Sequence, residues 1–275
     1  MVIDTHTHIN SEVLKNPIEE ITRINNDSKI ESVINVGLNN NTSKEIISIS
    51  NENPKIYCSV GIHPLYIENE DVDKLYNLIT DKVIAIGETG LDSSKQNIES
   101  QKRYFIKQII LANELHLPLI IHSNNMTKEI INIFERIIKP KYGCVFHCFQ
   151  PDIEDLAYII SNGFYISFAG RITYKTAKKS LDIARLVPND LFMLETDSPY
   201  ISPEPHRTEE NHTSNIKYIV QKLSEIKQLP YKEIELINNQ NAKSLFKKLK
   251  WHQKRCHFII KRIIIWIRKE EIIWK

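Results

Sequence analysis

Val2-Ile3-Asp4-Thr5-His6-Thr7-His8 opens the chain with a short apolar run that ends in two histidines one residue apart. Read as a β-strand, this stretch alternates its side chains between two faces, so His6 and His8 point the same way and Asp4 lies one step deeper. Two imidazoles on one side can grip one cation. A single His-x-His near a terminus reads as easily as a satisfied pair of histidines. What gives this one weight is that the later apolar runs also end in His, Glu or Asp, which places a shared site at many strand ends.

Pro17 stands at the first turn of a helix that follows an Asn-Ser-Glu loop. Ser32 to Gly37 is a second strand, and a helix from about Thr42 to Asn51 follows, with Thr42 and Ser43 as candidate N-caps. Ile56 to Pro64 is a third strand, with His63 held out of helix by the proline after it. Val83 to Glu88 is a fourth strand, broken by Gly90. An amphipathic helix from Ile98 to Leu115 leads to a fifth strand, Leu117 to Ser123, which contains His122. A helix over Ile130 to Ile138 leads to a sixth strand, Cys144 to Phe149, containing His147. A helix from Ile153 to Ser161, stopped by Asn162-Gly163, precedes a seventh strand, Tyr165 to Gly170. Leu191 to Pro199, containing Asp197, is the eighth. Helices over Asn215 to Ile226 and Lys232 to Leu249 close the domain.

Eight strands alternating with helices and apolar on both faces predict parallel strands covered on the outside. The expected fold is α/β, a closed (β/α)8 TIM barrel over residues 1–249. Chemistry in that architecture sits at the carboxyl ends of the strands, where His6, His8, His63, Glu88, His122, His147 and Asp197 all fall. The loop Ser202-Pro203-Glu204-Pro205-His206-Arg207 is expected over the same rim.

The residues from Lys250 to Lys275 differ in composition. They hold eight of the 36 Lys and Arg but two of the 34 Asp and Glu, leaving 28 basic against 32 acidic residues before them. The body is therefore mildly acidic, and a polyanion needs a local basic patch or metal ions to bind it. The tail carries Trp251, Ile259, Trp266 and Trp274, but charge interrupts it too often for a bilayer span. It leaves open packing on the barrel's outside, or a basic amphipathic contact with a membrane surface or polyanion. No stable protein partner is evident. Cys58, Cys144, Cys148 and Cys256 have no disulfide spacing and follow no secretory signal, which suggests a reducing, cytoplasmic setting. Cys144 and Cys148 share a strand face opposite His147, so they read as small buried hydrophobes rather than zinc ligands.

Histidine with carboxylate suits zinc, manganese, iron or nickel, and carboxylates with water suit magnesium, so ligand type does not fix the metal. Ligand number says more. Six candidates exceed the three that one catalytic zinc needs. Two divalent ions bridged by Glu88 and a hydroxide would use them all, an arrangement that suits in-line attack on a phosphodiester. Asp197 is then a ligand that also accepts the proton of the attacking water.

His6-Thr7-His8, Val60-Gly61-Ile62-His63-Pro64, Ile86-Gly87-Glu88-Thr89-Gly90-Leu91-Asp92, Leu117 to His122, Phe146-His147-Cys148-Phe149 and Glu195-Thr196-Asp197-Ser198-Pro199-Tyr200 together resemble the TatD family of metal-dependent deoxyribonucleases, in the amidohydrolase superfamily. The likeness covers residues 1 to about 249, in order. It implies a TIM barrel, a cytoplasmic enzyme with bound divalent ions such as magnesium, manganese or zinc, and exonuclease-type cleavage of DNA. By this likeness His6, His8, Glu88, His122, His147 and Asp197 are the metal ligands, His63 contacts a substrate phosphate and Glu195 stands behind the ligands. Two departures matter: the tail from Lys250 is not accounted for by the family pattern, and where the family usually has His-x-Arg at the end of the fifth strand, here Asn124 stands in place of the Arg. Asn124 can donate a hydrogen bond but cannot neutralise a phosphate. Arg207 is the expected substitute. Two other readings stay open, a metal-dependent amide or lactone hydrolase and a metal-binding protein without turnover.

Overall fold

A computed structural model of the protein describes residues 1–10, 12–149 and 153–249. The tail from Lys250, with its expected packing or surface role, and Cys256 lie outside the described residues. The strands are β1 (Val2–Thr7), β2 (Ile30–Val36), β3 (Ile56–Val60), β4 (Val83–Asp92), β5 (Leu119–Asn124), β6 (Cys144–Phe146), β7 (Tyr165–Phe168) and β8 (Phe192–Leu194). They pair in sequence order, all in parallel. The helices are α1 (Pro17–Asn26), α2 (Asn40–Glu52), α3 (Asp73–Tyr76), α4 (Ile98–Glu114), α5 (Thr127–Arg136), α6 (Ile153–Ser161), α7 (Lys178–Leu186), α8 (Ile216–Lys227) and α9 (Tyr231–Leu245). The expected TIM barrel is the fold observed. No described helix is long and apolar enough to cross a membrane.

The ring closes differently at two depths. At the carboxyl ends, the Asp197 N–H donates to the His6 carbonyl at 2.9 Å and the His8 N–H to the Ser198 carbonyl at 2.7 Å. Deeper in the same seam, Asn238 of α9 does the joining: its Oδ1 accepts from the Leu194 N–H at 2.7 Å and its Nδ2 donates to the Ile3 carbonyl at 2.9 Å. Side-chain amides thus satisfy backbone groups that the ladder leaves unpaired there. Ile3, Ile34, Tyr57, Ile84, Ile120, Val145 and Met193 pack with Leu245, Phe246 and Leu249 into one buried cluster, an apolar plug that leaves the other end of the barrel for polar groups. A second, larger cluster lies between strands and helices.

Local chemistry moved some boundaries. Asn39, not Thr42 or Ser43, caps α2: its side chain accepts from the Thr42 N–H at 2.9 Å, and the Thr42 hydroxyl accepts from the Asn39 N–H at 3.0 Å. Thr42 is therefore the third helical residue of a reciprocal cap. Gly90 does not break β4. It has φ +145, and a β-carbon there would lie 2.0 Å from the His122 carbonyl oxygen, so only glycine lets β4 run on beside β5 to Asp92. The third, sixth, seventh and eighth strands stop earlier than the apolar runs do, because their last residues turn into the rim. Cys148, one of those residues, has φ +44 and leaves the strand, so it does not share the face of Cys144.

Candidate metal centre

Glu88 stands at the middle of the carboxyl-end floor, only 2% exposed, with its two oxygens turned to different histidines. Oε1 lies 2.7 Å from His147 Nε2, 2.8 Å from His122 Nδ1 and 3.5 Å from His63 Nε2. Oε2 lies 3.4 Å from His6 Nε2 and 3.8 Å from His8 Nε2. On that second side, Asp197 Oδ1 is 3.4 Å from His8 Nε2 and 3.8 Å from His6 Nε2. The donors therefore divide into His6, His8 and Asp197 on one side of Glu88, and His122 and His147 on the other. Donor atoms lie within 4.8 Å of one another in His6, Glu88 and His147, in His6, His8 and Asp197, and in His63, Glu88 and His122.

Hydrogen bonds on the far side of each ring say which nitrogen is bare. His8 Nδ1 faces the Val36 carbonyl at 3.3 Å, so it carries the hydrogen and leaves Nε2 as a lone pair. His122 Nε2 faces Asp92 Oδ2 at 2.7 Å, which turns the bare Nδ1 towards Glu88. His147 Nδ1 is 3.4 Å from Glu195 Oε1, close enough for attraction though not in hydrogen-bond geometry. Glu195 is itself held by the Cys148 N–H at 2.7 Å and the Ser167 hydroxyl at 2.6 Å. His63 is arranged the opposite way. Its Nδ1 accepts from the Leu65 N–H at 3.1 Å, so Nε2 carries a hydrogen and is a donor rather than a ligand atom.

His6 Nε2 and His8 Nε2 face each other at 3.1 Å, two ring nitrogens that need a proton or a cation between them. With a buried carboxylate on each side, this donor set fits divalent metal. Metal-free, the site holds protons in its place. Burial disfavours charge on His147, His122 and His8, but Glu88, Asp92 and Asp197 outweigh it and raise all three above the ordinary histidine value, His147 well above. Burial lowers His6 and His63. Burial would also raise Glu88 and Asp197, yet His147 and His63 hold Glu88 well below the usual carboxylate range, and the His8 hydrogen bond with the His6 charge lowers Asp197. Asp4 lies under this floor. It accepts from the Thr196 N–H at 2.9 Å and the Thr196 hydroxyl at 2.6 Å, and burial pushes its carboxyl up to about 8.

Asp197 has φ +54 and sits three residues past β8 rather than ending that strand; its N–H bond to His6 keeps it at the rim. A cleft of about 520 Å³ opens over the floor, lined by His122, Asn124, His147, Arg171, Lys179 and Asp197 among others. Asn124 is exposed, and its Nδ2 donates to Asp92 Oδ1 at 3.1 Å. Asn124 thus braces the carboxylate that braces His122. Arg207 is not in the cleft wall: its guanidinium lies 4.2 Å from the centre of the Tyr174 ring and 3.9 Å from Glu204. Cys148 also lines the cleft, where burial pushes its thiol up to about 12, so it is no thiolate. Sequence reasoning gave no role to Asp92, Arg171 or Lys179. The signal for Asp92 was present, a second carboxylate four residues after Glu88; none marked Arg171 or Lys179.

The model of the TatD related DNase family matches residues 3–247. An uncharacterized metal-dependent hydrolase of Bacillus subtilis, YabD, is 34% identical over 253 residues, 90% of this chain and 99% of that protein. A metal-dependent hydrolase of Methanocaldococcus jannaschii is 28% identical, over 90% of this chain and 97% of the relative. The crystal structure of YjjV, a TatD homolog from Escherichia coli, superposes with a TM-score of 0.83 at 23% identity, covering 90% of this chain and 98% of that one. A TatD family hydrolase from Entamoeba histolytica superposes at 0.77 with 21% identity, over 89% and 97% of the two chains. With its barrel, its buried floor of histidines and carboxylates, and these relatives, the chain belongs to the TatD family of metal-dependent hydrolases.

Proposed function

We propose that the protein is a two-metal phosphodiesterase that cleaves DNA, in the manner of an exonuclease. The observation that carries this reading is the division of donors about Glu88: His6, His8, Asp197 and Glu88 Oε2 would hold one ion, and His122, His147 and Glu88 Oε1 the other. Magnesium, manganese and zinc all suit such a set. The chemistry that divalent ions would supply there is a lowered pKa for an attacking water and neutralised charge on phosphoryl oxygens.

The chain's own groups do the rest. Asp197 is held ionised by its histidine neighbours and borders the cleft, so its carboxylate takes the proton that the attacking water gives up. Asp92 and Glu195 hold His122 and His147 in orientation. His63 donates from Nε2 to a phosphate oxygen. The rim favours a polyanion over an amide or lactone, because its lining is mostly His, Asn, Arg and Lys, with Ile201 as the aliphatic member.

The test is an assay of the metal-reconstituted protein against labelled single-stranded DNA, duplex DNA, and a panel of lactones and anilides. Metal-dependent release of nucleotides, stopped by a chelator, is expected. Turnover of lactones or anilides without DNA cleavage would replace this reading with that of a small-molecule hydrolase, and bound metal without any turnover would leave a binding protein.

A further inference from the structure

We propose that Arg171 is the residue that holds a substrate phosphate in this cleft. The inference rests on the phosphodiester reading above. Arg171 belongs to a short 3-10 turn, Gly170–Thr173, directly after β7, and that turn is pinned to the loop after β8. A β-carbon on Gly170 would lie 2.1 Å from the Ile201 carbonyl oxygen and 2.8 Å from Pro203 N, so only glycine permits the approach. The Thr173 hydroxyl accepts from the Glu204 N–H at 2.8 Å, and the Tyr174 hydroxyl donates to the Ser202 carbonyl at 2.8 Å. The backbone that carries Arg171 is therefore fixed before any ligand arrives, which lowers the cost of binding.

The side chain is poised in the same sense. Arg171 is half-buried and lines the cleft together with His122, His147 and Asp197, and its Nε is buried without a hydrogen-bond partner among the described residues. A guanidinium N–H shut away from water wants an acceptor, and its planar fork matches two phosphate oxygens. The rival residues are occupied elsewhere. Asn124 is uncharged and bonded to Asp92, and the Arg207 guanidinium sits 4.2 Å from the centre of the Tyr174 ring, beside Glu204. Lys179 adds a second positive charge to the wall that Arg171 occupies.

The experiment is calorimetric titration of inorganic phosphate into metal-saturated wild type, Arg171→Gln, Arg171→Lys and Arg207→Gln, with metal content and thermal melting measured in each. Phosphate affinity is expected to fall roughly 10-fold or more in Arg171→Gln, to fall less in Arg171→Lys, which keeps the charge and loses the fork, and to change least in Arg207→Gln. Unchanged affinity in both Arg171 variants, or an equal loss in Arg207→Gln, overturns the proposal; should Arg171→Gln fail to fold, Arg171→Lys decides it. The KM for a single-stranded oligonucleotide and for bis(p-nitrophenyl) phosphate then gives the source of the phosphate. A rise for both assigns Arg171 to the scissile group, and a rise for the oligonucleotide alone assigns it to a neighbouring one. Because phosphate titration needs no turnover, a protein that loses phosphate affinity in Arg171→Gln but never cleaves DNA would refute the nuclease reading and leave the Arg171 site standing.

Discussion

The floor of the cleft and its wall are positioned by different means. His6, His122 and Glu88 lie within strands, and His8, His147 and Asp197 lie one to three residues beyond them, tied back by ladder hydrogen bonds. Their side chains are buried or nearly so. The wall is built from Arg171 in a turn, Lys179 on a helix and Asn124 at an exposed strand end. Buried charges must be paired or hold metal, so little can change on the floor without loss of the site. The wall meets solvent, where a charged side chain stays hydrated and a substitution costs less. Floor substitutions should therefore abolish chemistry, whereas wall substitutions should tune binding.

The largest effect is expected at Glu88, which both halves of the floor share. Glu88→Gln should lower kcat by about 10³-fold or more, the scale of a lost electrostatic stabiliser, and elemental analysis should show metal content reduced on both sides. Full metal content with near wild-type kcat would mean that the floor is not organised around Glu88. One step out, Asp92→Asn should weaken metal affinity by about 10- to 100-fold, as loss of a ligand's orienting partner does. A chelator competition assay reads this; unchanged affinity would reduce Asp92 to a loop residue.

Protons sharpen the same contrast. His147, His122 and His8 are raised above the ordinary histidine value by Glu88, Asp92 and Asp197, so the metal-free floor holds protons more tightly than free imidazoles do. An ion must displace those protons. Apparent metal affinity should rise with pH above about 6.5 and level off once the raised values are passed. Calorimetry in buffers of different ionisation enthalpy should show proton release at pH 7, and its absence would mean that the histidines bind as neutral rings. The smallest effect is expected on the wall. Asn124→Arg would place a guanidinium beside Asp92, which already accepts from position 124 at 3.1 Å, so the new cation should pair there. KM for oligonucleotides should change by less than about 3-fold, since one solvent-facing ion pair contributes little. A large fall in KM would show that position 124 addresses the substrate directly.

The same division marks what could be read from the chain in advance. Strand order and the six clustered candidate ligands were legible because a parallel barrel writes buried apolar runs into sequence, and a His, Glu or Asp closing such a run has few structural excuses. Asp92 stood out as a second carboxylate four residues after Glu88, yet its pairing with His122 was hidden, because that spacing does not say that β4 continues past Gly90 to bring the two together. Arg207 was singled out and Arg171 was not, for a related reason. Both follow apolar strands and both are near the rim, but only the packing of Gly170 against Ile201 and Pro203 turns one into the cleft, and only the Tyr174 ring holds the other away. Helix α7, with apolar residues at Leu181, Ile183 and Leu186, is less apolar overall than its neighbours α6 and α8 and is not marked by the sequence reading.

In the proposed reaction Asp197 accepts the proton while the rest of the floor keeps its ions. Asp197→Asn keeps the shape of the side chain and removes the base. Measured at saturating metal on single-stranded DNA, with metal content determined on the same samples, the variant should show kcat lower by at least about 10²-fold while retaining at least one ion. A variant that turns over DNA within a few-fold of wild type, with its metal in place, would contradict the account and take Asp197 out of the reaction.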